Sequence, residues 1–256
     1  MCPVNYMIHA LLFAGLILLV GVFPWALTAW GLNWISGLVQ RRIRFLGERA
    51  FIYMTAPGVA VHELSHAAFC LIFRHKIIKM NLFSPEEDGT LGYVEHQYNP
   101  KSLYQRAGNF FVGTGPIWGG VFLLYVLSML LLPREVFSSG NSFREGLSFL
   151  KFFFSLRPWT SFPFYIWLYA ALTISAHITL SPPDVKGAKD GFLIFSCAIF
   201  LTCLLLGWCG AWEEYLINKL THVFIRLFPI IMAIGAALLF FSFVLSFLPL
   251  SRKKAD

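Results

Sequence analysis

The sequence predicts an all-α polytopic membrane protein of about six transmembrane helices, with a β-hairpin after the second. Three observations lead there. The apolar fraction is 57% and only 13% of residues are charged, against about a quarter in soluble domains, so the chain has more apolar surface than it can hide inside itself. No charged residue occurs before Arg41. Apolar runs long enough to cross about 30 Å of hydrocarbon recur along the chain. They fall at about 8–34, 56–73, 107–132, 158–180, 191–212 and 227–250.

The first run has no basic leading segment and continues through Trp30 and Trp34, which favours a membrane helix over a cleaved signal peptide. The connector "QRRIRFLGERAF" reads as an interfacial helix whose Arg side chains reach headgroups. The second run is the shortest and most polar. After it, 76–83 and 90–98 are rich in alternating or β-branched residues and flank "SPEEDG", strong turn chemistry, which gives the hairpin. Between the third and fourth runs, "FLKFFFSLRPW" reads as a helix lying in the interface. "SPPDVKGAKDG", 181–191, reads as a broken connector facing a cavity or water. The loop "AWEEYLINKLTHVFIR" is amphipathic and reads as a helix. Together these make one integral membrane domain, 1–256, with a core at about 50–195 and outer helices at about 8–34 and 191–250.

A net charge of +7 could signal nucleic acid, but the basic residues sit in loops between apolar runs, where they meet the lipid bilayer. Ten Lys and Arg fall on each side of six alternating spans, so charge sets no orientation. Five cysteines, an odd number, show no paired spacing; Cys197, Cys203 and Cys209 read as packing residues.

Chemistry concentrates in "VHELSHAAF", 61–69. Positions i and i+4 share a helix face, so His62 and His66 can turn to one ion, with Glu63 placed to hold the water that the ion polarises. Zn2+ bound by three protein ligands keeps a place for water and lowers its pKa towards about 7. On this reading Glu63 is the general base. An uncompensated acid in a bilayer costs at least about 2.5 kcal/mol, which argues for function over a neutral Glu63 and histidines bonded to neighbouring helices.

Two histidines leave the site one ligand short. The candidates are Asp184, Asp190, His177, Cys70 and the pair Glu213 and Glu214. Cys70 follows His66 by four residues, but i, i+4 and i+8 span about 12 Å, too far for one ion. Glu213 and Glu214 lie in a polar connector that suits solvated acids. Asp190 has an alternative role capping the fifth helix, so Asp184 is favoured.

With "HELSH" in the second span, a hairpin-like segment after it, "GTGPIWGG" (113–120) opening the third, and "SAHITLSPPDVKGAKDG" ending the fourth, the chain resembles the site-2 protease family of intramembrane zinc metalloproteases over about 57–191. The family's Gly-Pro-x-x-Asn stretch is matched except that Gly119 stands at the Asn. Its Leu-Asp-Gly motif is absent and His177 lies near the customary second Asn, so the resemblance is to a divergent branch. It implies an oxyanion hydrogen bond from His177, with a histidine bonded inside the bundle as the alternative. It further implies substrate binding along the hairpin edge and a cytoplasmic carboxyl terminus. No regulatory domain is read in the chain, which leaves gating to the membrane part or a membrane partner. The expected function is therefore a zinc endopeptidase cutting transmembrane or membrane-proximal segments of protein substrates. The rivals are a membrane zinc protease that uses Glu213 or Glu214, and a non-catalytic metal-binding scaffold or chaperone.

Overall fold

A computed structural model describes Gly15, Trp34 and residues 48–208, except 87, 88 and 138–141. The first expected span apart from Gly15 and Trp34, the last expected span, Glu213, Glu214 and the carboxyl terminus lie outside the described residues. What is described is mostly helical, with one small antiparallel sheet.

Helix α1 (Glu48–Met54) runs through Thr55 into α2 (Ala56–Ile72), which opens with Pro57 in its first turn, where a missing N–H costs nothing. α2 ends in a Schellman turn. The His75 N–H donates to the Cys70 carbonyl at 2.8 Å and the Arg74 N–H to Leu71 at 3.2 Å. Arg74 takes the left-handed conformation there, φ 57°, a place usually given to glycine and costing an L-residue about 1 kcal/mol. The turn delivers the chain directly into β1 (Lys76–Asn81), paired with β2 (Tyr93–Gln97) from Lys76↔Gln97 to Asn81↔Tyr93, with a bulge between Ile77 and Lys79. Gly89, at φ 89°, closes the connecting turn.

Next come α3 (Leu103–Gly113), capped by Ser102, and α4 (Gly115–Leu131). The expected continuous span at 107–132 is in fact these two helices, bent by 60° at Thr114. Pro116 has no N–H to give the Val112 carbonyl four residues back, so the ladder breaks there. α5 (Ser142–Phe153) follows. Its Phe149 and Phe153 are buried against Trp167, Phe164 and Trp159 of this chain. The Phe-rich segment therefore turns those two rings into the protein core. α6 (Phe162–His177) supplies Trp167, fully buried, whose indole N–H donates to the Ser128 hydroxyl at 2.9 Å.

The last described helix, α7 (Pro182–Trp208), corrects the reading of 181–191 as a connector. Ser181 and Asp184 form a capping box: the Asp184 N–H faces the Ser181 Oγ at 3.4 Å, and the Ser181 N–H donates to the Asp184 carboxylate at 2.8 Å. Pro182 and Pro183 occupy first-turn positions that need no donor. Asp190 consequently lies inside a helix and caps nothing. α6 and α7 meet at 75°.

Among the described residues no single helix is long and apolar enough to cross a membrane; the two bent pairs, α3 with α4 and α6 with the first part of α7, meet that test together. Large apolar side chains stand exposed along these helices, among them Phe122, Leu130, Phe162, Leu193 and Leu205, each at least 68% exposed.

Candidate metal centre

Both helix breaks leave backbone groups without helical partners, and the site is assembled from them. The Val112 carbonyl, freed by Pro116, lies 2.7 Å from His66 Nδ1. The carbonyl of His177, last residue of α6, lies 2.6 Å from His62 Nδ1. A carbonyl only accepts, so each Nδ1 carries the proton and each Nε2 presents a bare lone pair. The two Nε2 atoms are 3.1 Å apart. Asp184 completes the group from α7, its Oδ1 3.3 Å from His66 Nε2 and its Oδ2 3.7 Å from His62 Nε2. Oδ2 also accepts from the Ser181 N–H and, at 2.6 Å, from the Ser181 hydroxyl. Ser181 is a positioning residue that the sequence reading passed over, although "SPPD" carries the capping-box signal.

Three acceptors converge with no donor among them, an arrangement that is stable around a cation. Bonds of about 2.0–2.1 Å to a tetrahedral zinc would separate ligand atoms by about 3.3 Å; the two Nε2 atoms are 3.1 Å apart, and they lie 3.3 and 3.7 Å from the two different oxygens of Asp184, near that value. The backbone carbonyls behind both imidazoles are the usual outer partners of metal-binding histidines. The residues present can therefore hold a metal ion.

The group opens on a cavity of about 620 Å3, also lined by Glu63, His96 and five consecutive residues from Thr90 to Val94. Glu63 is buried beside the ligands, and Gly92 lies against it: a Cβ there would come within 2.9 Å of Glu63 Cγ. Asp190 lines the same cavity but is not in the ligand group. The His177 ring packs against Gly58, its Nε2 buried without a hydrogen-bond partner, and does not line the cavity; its carbonyl serves the site. Gly119 has a steric reason: a Cβ would sit 2.0 Å from the Ser65 hydroxyl oxygen, so no Asn fits while α2 and α4 pack this closely.

A second group was not anticipated beyond its cysteine. Cys70, His75 and His96 bring one potential ligand atom each within 4.8 Å of one another. Burial holds the imidazoles of His75 and His96 below the usual histidine range, and His75 adds to the effect on His96. Neither ring stands in a recognisable spacing with Cys70, because one lies past the helix end and the other on a strand.

No protein-family model, no curated protein and no solved structure matches the chain.

Proposed function

We propose that the chain is an integral-membrane zinc metalloendopeptidase, akin to the site-2 proteases, that cleaves membrane-embedded or membrane-proximal segments of other proteins. The observation that carries this reading is the convergence of His62 Nε2, His66 Nε2 and the Asp184 carboxylate beside a buried Glu63 at the wall of one cavity. A zinc ion held by these three residues supplies Lewis acidity and acidifies water.

The chain's own residues then divide the work. His62 and His66 bind through Nε2 while their Nδ1–H groups stay committed to the carbonyls of His177 and Val112, which fixes both tautomers. Ser181 holds Asp184 in place. Glu63 takes the proton from the attacking water and passes it to the leaving amine; burial beside two imidazoles keeps it close to both acts. Residues 90–94 line the cavity consecutively, so backbone as well as alternate side chains borders it. An extended substrate segment would lie along this wall once its own helix has unwound. Support for the membrane setting is the apolar composition and the exposed Phe and Leu of α4, α6 and α7.

The test uses the full chain in proteoliposomes with a panel of transmembrane peptides, read by mass spectrometry. Cleavage should appear with zinc, vanish with chelator, and fall about 100-fold or more in Glu63→Gln while zinc content is unchanged. Cleavage that survives in Glu63→Gln would overturn the assignment.

A further inference from the structure

We propose that Cys70, His75 and His96 form a second metal site, for a borderline-soft divalent ion such as zinc, which clamps the β-hairpin to the C-terminal end of α2. The inference stands apart from the proteolytic reading, since it uses none of the same ligands.

The geometry suits coordination. His75 Nδ1 and His96 Nδ1 are 3.2 Å apart, against about 3.3 Å for two nitrogens on one tetrahedral zinc. His75 Nε2 lies 2.8 Å from the Gln105 carbonyl and must donate to it, so the neutral ring carries its lone pair on Nδ1, the atom turned to His96. Gln105 is itself held: its side-chain amide donates to the Arg74 carbonyl at 3.1 Å and accepts from the Asn99 N–H at 2.6 Å. A carbonyl behind a histidine, itself anchored, is the outer-partner arrangement of metal-ligating imidazoles. A plain hydrogen bond between the two rings would account for their separation. Stacking of the rings, with centroids 5.0 Å apart, fits the same approach; coordination adds a role for the wholly buried Cys70 thiol in the same 4.8 Å group.

The chain goes to some expense to build this group. His75 reaches Cys70 only through the left-handed Arg74. His96, opposite Ile77 in the hairpin, brings a third element to the same point. The chemistry selects the ion: one thiolate with two imidazoles favours zinc or cobalt over magnesium or calcium. Binding would release the Cys70 thiol proton to solvent and leave a site of net charge +1, with both imidazoles neutral. Cys70 lies four residues beyond His66, about 6 Å along α2, and His96 also lines the main cavity. An ion here would therefore hold the hairpin's cavity-lining stretch in register with the helix that carries His62 and His66.

Cobalt(II) loading of the purified full chain in detergent tests it, because this group contains sulfur and the His62–His66–Asp184 group does not. The wild type should bind two equivalents per chain and show a thiolate-to-cobalt charge-transfer band in the near ultraviolet. Cys70→Ser should lose the band and one equivalent. His96→Asn, a change on the hairpin and outside the packed core, should do the same with every sulfur still present. His66→Ala should lose one equivalent and keep the band. A wild type without the band, or a band that survives in His96→Asn, would overturn the second site while leaving the proteolytic reading untouched. An inactive protein that shows the band would do the reverse.

Discussion

Replacing Gly58 by Ala is expected to loosen the metal centre without touching a ligand. At Gly58, α2 and α6 are in close contact: a Cβ would lie 1.9 Å from the Thr173 carbonyl oxygen, 2.6 Å from its carbon and 2.9 Å from the His177 ring. Most of that contact is backbone, which cannot swing aside as a side chain would. Restoring ordinary contact requires the end of α6 to recede by more than 1 Å. The His177 carbonyl, 2.6 Å from His62 Nδ1, recedes with it and the hydrogen bond is lost. Overpacking costs about 1–3 kcal/mol and the lost bond about 1 kcal/mol more. Loss of an outer partner lowers metal affinity by about 10–100-fold. Zinc competition against a chromophoric chelator and thermal unfolding, both in detergent, read the two effects. Gly187→Ala, in the interior of α7, is the comparison: a Cβ there meets nothing within 4 Å, so its melting temperature should hold or rise slightly through helix propensity instead of falling. Wild-type affinity and melting temperature in Gly58→Ala would refute the claim that this contact sets the position of His62.

Three further outcomes are expected. Ser181→Ala removes the hydroxyl hydrogen bond to the Asp184 carboxylate while leaving the backbone one, and should weaken zinc by about 10-fold, with the helical circular-dichroism signal retained. Gly119→Asn restores the residue usual in the resembling family, yet should destabilise by about 1–3 kcal/mol because its Cβ meets Ser65; adding Ser65→Gly should recover most of the loss, and failure to recover would mean another contact is responsible. Ser128→Ala leaves the buried Trp167 indole N–H without its acceptor and should cost about 1–3 kcal/mol in denaturant unfolding, with zinc affinity unchanged.

Much of the helical class is legible in the sequence, and so is the hairpin, because "SPEEDG" between two strand-like runs leaves little else for that segment to do. The pairing of His62 with His66 follows from helical spacing alone. The orientation of their rings does not. It depends on carbonyls released at Thr114–Pro116 and at His177, and a hydropathy run such as 107–132 passes over those breaks because Gly and Pro barely alter its mean. The helical state of 182–191 is hidden for a related reason: two prolines and two glycines look like a loop until Ser181 and Asp184 are read as a capping box. His75 and His96 lie further out of reach. Their approach to Cys70 depends on a left-handed arginine and on strand register, neither of which has a spacing signature.

The central claim is that His62, His66 and Asp184 hold one divalent ion between them. Elemental analysis of purified wild type and His66→Ala, both passed over chelating resin, tests it most directly. The variant should carry one zinc per chain fewer than the wild type. Equal zinc contents in the two proteins would contradict the account.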